Sequence, residues 1–133
     1  MAAKPENTFI AKVHRLLPHD LHKEKMNNPY SSGTADVWYS GNGGDLWVEY
    51  KYLPRTPQRA DVNPKKLLSE LQSRWLSGRH HEGRNIAVII GCPDGGVVLR
   101  DCAWEKVISA TTFVSLVLSR SDLAEWIRKQ TMR

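Results

Sequence analysis

A chain of 133 residues, 41% of them apolar, has material for one domain around one core and little room for a second. Its longest apolar runs, 86–90 and 113–118, fall far short of the roughly 20 residues that span a bilayer, and its start lacks a secretory apolar segment. No membrane role and an intracellular, cytoplasmic setting are therefore expected, while the net charge of +5 favours an anionic partner.

Phe9, Ile10, Val13, Leu16 and Leu17 recur at helical spacing and predict a first helix over 6–17, which Pro18 ends. Lys12 and Arg15 take its wet side. Glu6 precedes Phe9, Ile10 and Val13 by three, four and seven positions and so shares their stripe, although a first-turn acid also complements the helix dipole. A polar strand over 22–30 and a more apolar one over 34–39 follow. Ser40-Gly41-Asn42-Gly43-Gly44 is turn chemistry leading to a third strand over 45–53, and the three strands read as a meander.

After a connection rich in proline and arginine, 65–77 carries Leu67, Leu68, Leu71, Trp75 and Leu76 at helical spacing. One helix is predicted there, ended by Gly78, with His80 and His81 beyond it in an exposed loop able to touch phosphate. Residues 85–90 form a continuous apolar run of buried-strand type, Pro93-Asp94-Gly95-Gly96 a turn, and 97–100 a short strand. Further on, a short helix is expected over 104–109, a strand over 111–119 from its β-branched content, and a final helix capped by Ser121. Leu123, Ala124, Trp126 and Ile127 give that helix its apolar stripe. The class is mixed α/β.

The charged residues carry the functional signal. Alternation along 45–53 puts Leu46, Val48, Tyr50 and Tyr52 on one face and Trp47, Glu49, Lys51 and Leu53 on the other. Glu49 and Lys51 therefore point the same way, in a strand where charge is costly to desolvate unless paired or bound to metal. Asp36 opens the preceding strand as a second acid. Residues 51–84 hold eight Lys and Arg against three Asp and Glu, whereas the rest of the chain balances at eleven of each. All the excess positive charge thus follows the acidic strand pair, where a polyanion would be held beside the carboxylates.

Other reactive-looking residues have plainer readings. His14, His19 and His22 are split between a helix and a turn and make a poor zinc set, and neither glycine-rich segment has the form of a nucleotide cradle. Cys92 and Cys102 lie outside any Cys-x-x-Cys pattern and read as buried thiols. The tryptophans mostly fit a core, with Trp38 and Tyr30 as candidates for base stacking.

The order helix, three-stranded meander, helix, strand, with Ala35-Asp36 followed by Glu49-Tyr50-Lys51, resembles the PD-(D/E)XK nuclease superfamily. The resemblance covers about 6–100 of a single 1–133 domain and leaves a C-terminal strand and helix extension at about 101–133. Ala35 replaces the name-giving proline. The resemblance implies a restriction-endonuclease-like core with a mixed central sheet flanked by helices. It also implies that Glu6, Asp36 and Glu49 surround Mg²⁺ or Mn²⁺, that Lys51 stands beside the attacking water, and that Gln72 on the next helix joins the set. Hard oxygen ligands suit these cations.

The implied activity is a divalent-metal-dependent endodeoxyribonuclease, with Arg55, Arg59, Lys65, Lys66 and Arg74 gripping the DNA backbone. The compact spacing is most like that of virus-type replication-repair nucleases and phage or archaeal Holliday-junction resolvases, which implies duplex or branched DNA as partner, a homodimer, and a host-cytoplasm setting if viral. The alternatives are a catalytically inactive DNA-binding module of the same fold and a small α/β interaction protein.

Overall fold

The computed structural model describes residues 4–26 and 33–133. A five-stranded sheet in the order β1-β2-β3-β4-β5 is built from His22–Lys25, Val37–Gly41, Gly44–Tyr52, Ile86–Cys92 and Gly95–Leu99. The β3–β4 pair is parallel and the other neighbours are antiparallel, so the first three strands form the expected meander. The fold is thus a mixed α/β sheet flanked by helices. The far end of the strand expected over 22–30, Tyr30 included, lies outside the described residues.

Two apolar layers hold the sheet. Helix α1 (Pro5–His14) and the C-terminal helix α5 (Arg120–Thr131) cover one face, where Phe9, Ile10, Val13, Leu123 and Ile127 meet Val37, Leu46, Val48, Tyr50 and Ile89. On the other face, Leu76, Trp104 and Phe113 meet Ile86, Val88, Ile90 and Val97. Every residue of β4 is buried, because its alternate side chains feed the two layers, which explains an apolar run without alternation.

Several boundaries differ from the sequence expectation. The first helix stops at His14; Leu16 is exposed beyond it while Leu17 turns back into the core. The helix expected over 65–77 is two: α2 (Pro64–Leu67) and α3 (Glu70–His81), separated where Leu68 turns extended and Ser69 starts a new N-cap. The Ser69 hydroxyl accepts from Gln72 N, and the Gln72 side chain accepts from Ser69 N, a reciprocal cap that outweighs the continuous leucine spacing. Gly78 does not end α3, which runs on to His81, and His80 rests edge-on against buried Trp104 rather than in a loop.

The strand expected over 111–119 is instead helix α4 (Ala110–Leu116). Ser109 caps it by accepting from Thr112 N, and buried Phe113 anchors it, so a cap and one packing contact override the β-branched content. The expected helix over 104–109 shrinks to a 3₁₀ turn, Ala103–Glu105. Helix α5 is capped by Ser119 rather than Ser121, and Trp126 lies against the core edge with the Arg100 guanidinium over its ring. Gly95 has φ 143°, and a side chain there would strike the Leu118 carbonyl, which is how the α4–α5 link bridges to Gly96 at the sheet edge.

Candidate active site

Strand β3 outruns β2. Their register pairs Gly41 with Gly44 and Val37 with Val48, and there the backbone ladder ends, while β3 continues beside β4 as far as Tyr52 opposite Gly91. The Asp36 carbonyl turns to β1, accepting from Met26 N, whereas its Oδ2 accepts from Tyr50 N at 3.0 Å. A carboxylate therefore fills the place of a ladder carbonyl where the strands part. One step further in the same register sets Asp36 opposite Glu49, on the face shared with Lys51.

Glu49 is only 1% exposed. Its Oε2 accepts from Gln72 Nε2 at 3.2 Å and lies 3.5 Å from Lys51 Nζ, while its Oε1 is buried with no hydrogen-bond partner among the described residues. Burial, aided by the neighbouring Asp36 carboxyl and by Glu6, pushes the Glu49 carboxyl up to about 9 against the pull of Lys51. Glu6, in the first turn of α1, also meets the Asp36 carboxyl at hydrogen-bonding reach, and burial followed by that contact raises it too. The Glu6 alignment with the buried stripe thus has a structural outcome beyond the helix dipole.

The structure brings together Glu6 from α1, Asp36 from the β2 entrance, Glu49 and Lys51 from β3, and Gln72 from α3. Gly33 helps to close the set: a side chain there would come within 2.5 Å of the Leu71 carbonyl, so the chain leading to Asp36 lies directly on the first turn of α3. Close-packed carboxyls with an orphaned buried oxygen must share protons or receive a cation. The all-oxygen donor set suits Mg²⁺ or Mn²⁺. Among the described residues no three carboxylate, imidazole or thiol groups are placed to hold a metal ion, so the fit is one of donor chemistry alone.

The basic residues expected to grip the backbone are all exposed. Arg55 and Arg59 are exposed on the β3–α2 connection, Lys65 and Lys66 on α2, and Arg74 on α3 in an ion pair with Glu70. Arg55 and Lys66 line a cavity of about 330 Å³ with Asp61 and Leu67. His14, unsuited to zinc, binds Tyr39 Oη through Nε2 at 2.8 Å. Both cysteines are free, with Cys92 buried as expected and Cys102 partly so. Among the described residues no helix is long and apolar enough to cross a membrane.

Trp47 and the base-stacking candidate Trp38 were each in view from the sequence, but their pairing on this face was not. Trp38 and Trp47 stack at 5.7 Å, paired across the strands one step beyond Asp36 and Glu49, and Trp75 meets Trp47 edge-on. The register of the Asn42-Gly43 turn was the available signal.

No family model matches this sequence, and no curated protein matches it. Among solved structures the chain is similar to Hjc of Archaeoglobus fulgidus, a Holliday junction resolvase from an archaeal hyperthermophile. The two align with a TM-score of 0.52 over 90% of this chain and 99% of that one, at 13% identity. The restriction-endonuclease-like fold expected from the sequence is therefore the fold of this protein.

Proposed function

We propose that the protein is a divalent-metal-dependent endodeoxyribonuclease selective for branched DNA such as Holliday junctions. The observation that carries the reading is the Glu49 carboxyl, buried against the Asp36 carboxyl and 3.5 Å from Lys51 Nζ. The likeness of the fold to a resolvase supports the substrate class.

Asp36, Glu49 and Glu6 would hold Mg²⁺ or Mn²⁺. When bound, the cation supplies an activated water and charge stabilisation at the scissile phosphate. Lys51 donates to that water and offsets the negative charge growing on the phosphate. Gln72 holds Glu49 Oε2 through its amide, fixing one carboxylate rotamer while its own carbonyl stays tied to the α3 cap. Asp36 is oriented by the Tyr50 N–H. Arg55, Arg59, Lys65, Lys66 and Arg74 neutralise backbone phosphates, which gives affinity rather than sequence choice.

The proposal includes one 1–133 domain, an intracellular setting (host cytoplasm if viral), and a two-fold homodimer, since paired cuts across a junction need two sites. Exposed Val107, Val114 and Leu116 offer apolar surface for such a contact.

The test is cleavage of labelled four-way junction, flap, single strand and duplex in Mg²⁺, Mn²⁺, Ca²⁺ or EDTA, with folded Lys51→Ala as control. Cutting that requires Mg²⁺ or Mn²⁺ and disappears in the variant is expected, with symmetric cuts on junctions. Binding without cutting in any metal would overturn it in favour of an inactive DNA-binding module.

A further inference from the structure

Two cross-strand pairs of the β2–β3 ladder share the face that carries the carboxylates, Trp38 with Trp47 and then Ser40 with Asp45. The same register carried one step past the end of the ladder sets Asp36 opposite Glu49. Each step of two residues advances roughly 6.6 Å along the strands. The tryptophan pair is therefore the immediate neighbour of the acid pair, and both indoles are only partly buried.

Past Trp47 the same face opens into a cavity of about 440 Å³ lined by Trp47, Arg79, Arg84, Asn85 and Asp45. That volume is in the ~300–1,000 Å³ range of small-ligand sites. Among the described residues, exposed Arg84 has no ion-pair partner and Arg79 has exposed Glu82 at 2.9 Å as its one ion-pair partner. The one acid in the wall, Asp45, accepts the Ser40 hydroxyl at 2.7 Å. Trp38 and Trp75 already lie against Trp47, and the part of its indole left open in the cavity wall stands beside two arginines. That combination matches a base with its phosphates: the open part of the ring takes the base, and the guanidiniums take anionic oxygens.

We propose that this cavity holds an unpaired deoxynucleotide next to the cut, its base against Trp47 and its flanking phosphates on Arg79 and Arg84. The inference rests on the nuclease reading and deepens it. A strand leaving the carboxylates along this face reaches an aromatic surface before its next basic contacts, so the enzyme would favour DNA with unpaired nucleotides beside the scissile bond. Arg55 and Lys66, in a separate cavity, would serve the duplex arm.

The experiment measures binding of the full chain to a labelled single-stranded decamer and to a hairpin duplex, without divalent metal, across a salt series. The native protein is compared with the Arg79→Ala/Arg84→Ala double variant and with Trp47→Leu, each checked for folding by circular dichroism. The double variant should bind the single strand about tenfold more weakly and flatten its salt slope by about 1.4 for two lost phosphate contacts, with a much smaller effect on the hairpin. Trp47→Leu, where folded, should lose about tenfold on the decamer and none of the salt slope.

Unchanged single-strand affinity and slope in the double variant would overturn the inference, as would a native protein that does not bind the decamer. Because the readout is binding, the two readings fail separately: cleavage with unaltered binding removes this subsite alone, and altered binding without cleavage removes the nuclease alone.

Discussion

The Asp36 carboxylate accepts the Tyr50 backbone N–H at 3.0 Å, so one side chain both completes the sheet where β2 and β3 part and faces the buried Glu49 carboxyl. The two roles can be separated. Asp36→Asn keeps an oxygen for the Tyr50 N–H and should leave stability nearly unchanged while abolishing cleavage. Asp36→Ala leaves that N–H unsatisfied and should cost about 1–3 kcal/mol in urea unfolding, with the same loss of cleavage. Equal stability of the two variants would show that the hydrogen bond contributes nothing.

Glu49 makes the metal-free protein sensitive to alkali. Its carboxyl is raised from 4.5 to about 9, so the folded chain holds a proton that the unfolded chain releases. The stabilisation is complete below the ordinary carboxyl range and is lost as pH rises towards 9. In EDTA, the melting temperature should therefore fall from neutral pH to about 9, and Glu49→Gln, neutral throughout, should flatten the decline. Mg²⁺ should raise the melting temperature more at about pH 8 than at about pH 5, because protons compete with the cation for this carboxyl. A metal-free profile identical in the native protein and the Glu49→Gln variant would contradict the burial argument.

Gln72 joins two structures through one amide: its carbonyl accepts Ser69 N at 2.9 Å, and its Nε2 donates to Glu49 at 3.2 Å. Gln72→Glu retains the capping acceptor but turns an oxygen towards Glu49. It should keep most of the helix stability and reduce cleavage through like-charge repulsion. Gln72→Ala removes both links and should cost about 1 kcal/mol of stability as a lost cap. Thermal unfolding alongside single-turnover cleavage separates the two, and a Glu variant as active as the native protein would remove Gln72 from the site.

The alignment of the candidate residues on one face was legible from period-two alternation, and the hairpin register explains why the acids stand opposite each other. Counting five residues back from Gly41 and five forward from Gly44 lands on Asp36 and Glu49, with Asn42-Gly43 as the two-residue turn between the strands. Period-two alternation then gives Lys51 and Trp47 the same face. The break between α2 and α3 was not legible from leucine spacing, since it depends on Ser69 and Gln72 satisfying each other's backbone. Helix α4 was misread because Thr111, Thr112 and Val114 weigh towards a strand, whereas the Ser109 cap and the buried Phe113 side chain decide the matter. Glu6 lay in view as a first-turn acid, but its contact with Asp36 required the packing of α1 on the sheet.

A hydrogen-bonded relay beneath the site gives the pH profile its second limb. His14 Nε2 lies 2.8 Å from Tyr39 Oη, which lies 2.6 Å from Tyr50 Oη, tying α1 to β2 and β3 behind Asp36. Burial, with Lys23 and Lys25 nearby, lowers His14 from 6.5 to about 4, so it is neutral in the fold at a pH where the unfolded chain is charged. Its stabilisation is complete above the ordinary histidine range and is lost as pH falls towards 4. That slope opposes the Glu49 slope between about 4.5 and 6.5, so native stability should be nearly level there and decline only above it. His14→Gln should replace that plateau with a decline that begins near 4.5. Tyr39→Phe should cost about 1–3 kcal/mol by leaving the buried Tyr50 hydroxyl without its partner. Melting curves from about pH 4 to 9 test both, and a plateau that persists in the His14 variant would show that other groups set it.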